Sequence, residues 1–141
     1  MSHDHNSQGG RVSELRWKQR FQNYENSYKL LKKYIDIENP SIFERAGGIQ
    51  FFEITFELSW KLMKDYLNYQ GYPVKSPRET IKQAFQYEII SDVYSWLDFL
   101  EDRNLTTHTY DENKILEIDT KIKEKYFYIM ESLYKYFKNL L

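Results

Sequence analysis

No cysteine occurs among the 141 residues, which excludes disulfides and thiol chemistry and fits a reducing cytoplasm. Histidine is nearly as scarce: two of the three, His3 and His5, lie in the first five residues, leaving His108 as the single interior imidazole. Acid–base chemistry near neutral pH therefore has few places to reside. No long apolar run is present either. The stretch from Phe51 to Trp60 is broken by Glu53 and Glu57, so no segment can span a bilayer. The opening Met1-Ser2-His3-Asp4-His5-Asn6-Ser7-Gln8-Gly9-Gly10 has no apolar core of the kind a signal peptide needs. Residues 1–11 read as a tag-like or flexible tail, and His3 and His5 are set aside from the chemistry. Strand-period alternation, internal repeats and low-complexity stretches are also missing.

What the chain has in abundance is rings. Aromatics make up 18%, with 13 Tyr and 9 Phe, alongside 29% charged residues. That balance excludes a disordered chain and points to one domain, residues 12–141, with a ring-built core. The apolar period is helical nearly throughout. Phe21, Tyr24, Tyr28, Leu31 and Ile35 share one face of a first helix, from about Ser13 to Asp36. Glu38-Asn39-Pro40 stops it, and Ser41-Ile42-Phe43-Glu44 is a capping box opening a second. The second helix carries two apolar stripes, one of them Ile49, Phe52, Phe56, Trp60, Met63 and Leu67, and so belongs at the centre. It ends near Gly71. Gly47-Gly48 inside it implies close approach of another helix, with a dimer interface as the expected place. Ser76-Pro77-Arg78-Glu79 starts a third helix, Ser91 a fourth, and Thr109-Tyr110-Asp111-Glu112 a last one. The expectation is an all-α antiparallel bundle of about five helices, forming a homodimer.

Net charge is −1, but unevenly spread. Residues 11–33 carry seven Lys and Arg against two Glu, whereas residues 85–112 carry seven Asp and Glu against the lone Arg103. Nucleic acid would approach over the basic first helix and Lys75, Arg78 and Lys82.

His108 sits in Arg103-Asn104-Leu105-Thr106-Thr107-His108-Thr109-Tyr110. A guanidinium grips phosphate oxygens as a planar fork, and an imidazole moves protons near pH 7. By spacing alone, the same residues also suit a capped helix end with polar groups on its surface. Glu57 and Lys61 could pair at i, i+4 on the second helix and support the site as outer groups.

The segment resembles the R-x4-H-x-Y signature of HEPN-fold proteins, helical partners of minimal nucleotidyltransferases in toxin–antitoxin pairs. Gly48-Ile49-Gln50-Phe51-Phe52-Glu53, Phe56-Glu57-Leu58-Ser59-Trp60-Lys61, Tyr66-Leu67, Ser76 through Phe85 and Trp96 extend the likeness to the subfamily of nucleotidyltransferase substrate-binding proteins, over roughly residues 12–140. The resemblance implies a cytoplasmic toxin that cleaves RNA without metal or other cofactor. In it Arg103 holds the phosphate, Asn104 orients it and His108 serves as base or acid. One imidazole cannot conveniently make both proton transfers, so a two-fold dimer makes chemical sense. The resemblance also implies that a cognate nucleotidyltransferase silences the toxin by attaching AMP to Tyr110. The alternative it carries is a non-catalytic substrate-binding subunit of a two-component nucleotidyltransferase. The chain cannot transfer nucleotides by the usual route itself, because it has no Gly-Ser turn followed by an Asp-x-Asp metal pair.

Overall fold

The computed structural model describes the backbone of residues 3–141, and the side chains of residues 9–141 apart from 104 and 105. Every regular element among them is helical: α1 (His3–Ile35), α2 (Ile42–Tyr69), α3 (Pro77–Gln86), α4 (Val93–Asp102), a 3₁₀ turn (Arg103–Thr107), α5 (Glu112–Lys121), a π turn (Ile122–Tyr126) and α6 (Phe127–Leu140). The expected helical bundle is thus observed. The last of its five rods runs on through the π turn, whose flanking residues keep right-handed helical dihedrals. None of the described helices is long and apolar enough to cross a membrane.

Local signals fix most of the boundaries. Ser41 forms both halves of its capping box with Glu44, and Asn39, with φ at +48°, makes the turn that folds α2 back along α1. Gly71 ends α2 at φ +90°, a backbone conformation that residues with a Cβ adopt only under strain. Ser76 accepts from the Glu79 N–H with Pro77 just behind it. Two expectations shift. Helix α1 begins at His3 instead of near Ser13. Helix α4 is capped by Asp92, not Ser91. The Asp92 carboxylate takes both the backbone N–H and the hydroxyl of Ser95, at 3.1 and 2.6 Å, two bonds that one serine hydroxyl could not match.

Helix α2 is central, touching α1, α3, α5 and α6. Ile49, Phe52, Phe56, Met63 and Leu67 are sealed, whereas Trp60 of the same stripe is only half-buried. Rings fill the core by edge and stack: Tyr28 lies on Tyr134 with centroids 4.6 Å apart, and Phe99 meets Phe52 and Phe56 at 4.6 and 4.5 Å. Several buried polar groups are satisfied across helices, although the buried Trp17 Nε1 has no hydrogen-bond partner among the described residues. The Tyr24 hydroxyl donates to the Met130 carbonyl at 2.6 Å, and Ser27 and Thr55 share a bond of 2.6 Å. The Asp119 carboxylate, 4% exposed, accepts from the Tyr34 hydroxyl of α1, Arg45 of α2 at 3.2 Å and Lys123 of the π turn at 3.0 Å.

The paired glycines divide. A Cβ on Gly48 would overlap the Tyr34 ring, while one on Gly47 meets nothing within 4 Å. Close approach by α1 of the same chain therefore accounts for Gly48 without a dimer contact, and nothing in the structure accounts for Gly47. Gly47→Ala is expected to stabilise the fold by about 0.5–1 kcal/mol. Gly48→Ala should destabilise it by about 1–3 kcal/mol through overpacking. Denaturant unfolding of the two variants checks both signs.

Burial raises the pKa of Tyr24, and it pushes Tyr28 and Tyr136 up to about 12. Protons are therefore held more tightly in the folded chain than in the unfolded one, where tyrosine ionises at about 10. The corresponding stability is complete below about pH 10 and is lost as pH rises towards 12. In an alkaline titration, most tyrosinate absorbance should appear together with loss of helical circular dichroism. Full ionisation with the helix content intact would contradict this assignment.

Candidate functional site

Helix α4 reaches the site because Trp96 and Phe99 bury one face against Phe56 and Phe52. Its C-cap is Arg103, whose N–H donates to the Phe99 carbonyl. The 3₁₀ turn then carries the chain away, and the Thr106 hydroxyl satisfies the Arg103 carbonyl at 2.6 Å. His108 follows at once, and the Asp111 N–H bonds back to its carbonyl at 3.1 Å. The motif therefore straddles a helix–helix junction, as expected.

The cap of α5 is Asp111, not Thr109: Oδ1 accepts from the N–H groups of Asn113 and Lys114 at 3.0 and 3.4 Å. A carboxylate suits the positive helix end better than a neutral hydroxyl. Tyr110 consequently precedes the cap instead of lying in the first helical turn, and it is 83% exposed. Its hydroxyl lies 3.0 Å from His108 Nδ1, and the two rings meet edge-on.

Arg103 is exposed and His108 half-buried, so neither is locked into the core. Arg103 Nη1 lies 3.7 Å from Glu57 Oε1, while Glu57 Oε2 accepts from Trp60 Nε1 at 3.0 Å. The expected Glu57–Lys61 pair does not form. Both Glu57 oxygens are engaged by these other donors, and Lys61 has no ion pair among the described residues. Glu53, Phe56, Glu57, Phe99, Arg103 and Thr107 line a cavity of about 190 Å³. Arg103 and His108 are each bonded elsewhere, and no hydrogen bond joins them among the described residues. The Asn104 side chain lies outside those residues. Among them, no three His, Asp or Glu side chains gather as metal ligands would.

Sequence reasoning missed the support behind Arg103. Asp102 Oδ2 accepts from the Tyr126 hydroxyl at 2.5 Å and from Lys121 at 3.1 Å. Burial alone would raise the Asp102 pKa, but these two donors outweigh it and hold it below the ordinary aspartate value. Tyr126 is pushed well above the usual tyrosine value by burial and by its bond to Asp102. An acidic residue directly before the motif arginine was the available signal, but nothing local marks Tyr126 among 13 tyrosines.

Residues 19–139 match the family described as nucleotidyltransferase substrate binding protein like. A probable ribonuclease HepT from Haemophilus influenzae is 31% identical over 101 residues, covering 66% of this chain and 68% of that protein. A crystal structure of a Thermus thermophilus protein superposes with a TM-score of 0.71 at 33% identity, over 78% of this chain and 94% of the other. A second structure, from Haemophilus influenzae, is described as revealing the fold of a substrate binding domain of a nucleotidyltransferase. It gives a TM-score of 0.58 at 26% identity, covering 84% of this chain and 94% of its own. With the family match running from the middle of α1 to the end of α6, the chain belongs to the nucleotidyltransferase substrate binding protein like family.

Proposed function

We propose that this chain is a HEPN-type cytoplasmic toxin that cleaves RNA without a metal ion and is silenced by a partner nucleotidyltransferase. The observation that carries the reading is the placement of Arg103 at the start of one short 3₁₀ turn and of His108 directly after it, both accessible to solvent. The relative named a probable ribonuclease HepT supports it. In the reaction, a ribose 2′-oxygen attacks the adjacent phosphorus as a base takes its proton. The bond to the 5′-oxygen breaks as an acid supplies one, leaving a 2′,3′-cyclic phosphate and a 5′-hydroxyl. His108 acts as base or acid, with Tyr110 steadying its ring through Nδ1. Arg103 leaves its weak pair with Glu57 to neutralise charge building on the phosphoryl oxygens. Asn104 orients the phosphate, and a homodimer supplies the second imidazole.

His108→Ala should lower cleavage by about 10²–10⁴-fold, and Arg103→Ala by about 10²–10³-fold. Growth and RNA integrity on expression of this chain alone read the effect, and cleavage should persist in chelator. Toxicity that survives both substitutions would sink the ribonuclease reading. The second reading, a substrate-binding subunit, has the family's own description behind it. It predicts that the chain is inert alone and tolerates loss of the imidazole.

Tyr110 is the proposed point of control. Its exposed hydroxyl beside His108 is open to a modifying enzyme. An added adenylyl group brings negative charge that competes with substrate phosphate for Arg103. Co-expression with the partner should yield a protein heavier by AMP units, and the added mass should be absent from Tyr110→Phe. Modification that persists in that variant would refute the assignment.

A further inference from the structure

The last rod of the bundle contains a defect that a plain amphipathic helix does not need. In the π turn, the Phe127 N–H donates to the Ile122 carbonyl, five residues back. Residues five apart in a regular α-helix point about 140° away from each other around the axis. Lys121 and Tyr126 are five apart, yet both reach the same oxygen, Asp102 Oδ2, at 3.1 and 2.5 Å. An i to i+5 turn brings such residues onto one side of the helix. The same turn sends Lys125 to Asp98 at 2.5 Å and sets the Tyr126 ring edge-on to Phe99, with centroids 5.0 Å apart. Phe99 and Asp102 are the residues that bracket the exit of Arg103. Phe99 accepts its backbone N–H and lines the cavity under its side chain, and Asp102 precedes it in the chain.

Building on the ribonuclease reading, we infer that the π turn is a positioning device for that site. Tyr126 and Lys121 grip Asp102 and thereby fix where the Arg103 guanidinium is held relative to His108. Tyr126 and Asp102 are positioning residues, not catalytic ones: neither is among the residues lining the Arg103 cavity. Among the described residues the exposed Arg103 guanidinium makes one ion pair, the long one with the Glu57 carboxylate, so its location is set largely from behind.

Tyr126→Phe removes only the hydroxyl. Tyr134→Phe is the matched control, because Tyr134 makes the same kind of bond, to Glu25 at 2.7 Å, between α6 and α1. Single-turnover and steady-state cleavage of an RNA oligonucleotide by the full chain should show kcat falling roughly tenfold in Tyr126→Phe with KM little changed. Asp102→Asn should behave likewise, and Tyr134→Phe should keep the parent kcat despite a similar drop in melting temperature. Equal effects of the two tyrosine substitutions on kcat, or a parent kcat in Tyr126→Phe, would overturn the inference. A readout independent of activity is the Arg103 side-chain Nε–H resonance. It should shift or broaden in Tyr126→Phe and not in Tyr134→Phe, and an unmoved resonance again overturns the inference. If Arg103→Ala and His108→Ala leave cleavage intact, the ribonuclease reading falls by itself, while the resonance still decides whether Arg103 is held by the π turn.

Discussion

The buried carboxylate of Asp119 ties both helices of the α1–α2 hairpin to the last rod. Asp119 has almost no contact with solvent, and a charge so placed costs several kcal/mol unless donors surround it. The three it has come from three separate segments: Tyr34 of α1, Arg45 of α2 and Lys123 of the π turn. Lys123 also lies over the Tyr34 ring, 5.1 Å from its centroid. Rotating or sliding any one of these helices would break at least one of the bonds and leave the charge uncompensated. Gly48 belongs to the same constraint, because the Tyr34 ring reaches Asp119 across the space that a Cβ at Gly48 would occupy. The local cost of a helical glycine, about 1 kcal/mol, is offset by the seating of that ring.

From Asp119 the constraint passes along the rod to the site. The π turn begins three residues on, and its last residue, Tyr126, packs on Phe99 and Phe52 while bonding Asp102. The rear of the site is therefore held by buried rings and short hydrogen bonds. Its front is different. The Arg103–Glu57 pair is long, at 3.7 Å, with both side chains more than 40% exposed, and such a pair contributes under about 1 kcal/mol. In the proposed function, a guanidinium anchored at its backbone and loosely paired at its tip suits a group that would exchange a carboxylate for a phosphate without moving its helix.

Much of this was legible in the chain, and the parts that were not share a cause. Helical period, capping serines and Gly71 report local physics, so the end of α1, both ends of α2 and the start of α3 emerged within a residue or two. The inward stripe of the last rod, Ile115, Ile118, Ile122, Ile129, Leu133 and Phe137, is buried throughout. Asp92 and Asp111 displaced the expected caps because neighbouring acceptors compete and only the folded turn decides between them. The Arg103-to-His108 segment was visible as a motif. Its supports were not: Trp60, Asp102 and Tyr126 matter through partners 3 to 46 residues away, as with Trp60 to Glu57 and Glu57 to Arg103. The π turn is invisible to period counting, because the apolar spacing on either side of Ile122 still reads as ordinary helix. The Glu57–Lys61 expectation failed for the same reason. A sequence neighbour is available to any helix, but a guanidinium arriving from another element was a tertiary event.

The charge pattern changes meaning once its partners are known. The seven-to-two basic excess of residues 11–33 resembles a landing strip for polyanions, yet part of it is internal. Arg20 is bonded to the largely buried Asp65 at 3.0 Å, Lys18 to Glu14 at 3.1 Å, and Lys29 stands 4.0 Å from Glu25. Arg16, Lys32 and Lys33 have no ion pair among the described residues. With a net charge of −1, long-range attraction for a nucleic acid is slight. Near the motif, Glu53 and Glu57 line one cavity with Arg103, the one cation among its described lining residues, while Glu101 is paired with Arg78 at 3.9 Å. RNA binding under the proposed function would then rest on short-range, geometrically fixed contacts in place of a broad positive field. Two copies of the motif facing one another would bring their carboxylates together along with their arginines. In the proposed function, the homodimer is therefore a source of a second imidazole and not of a stronger positive field.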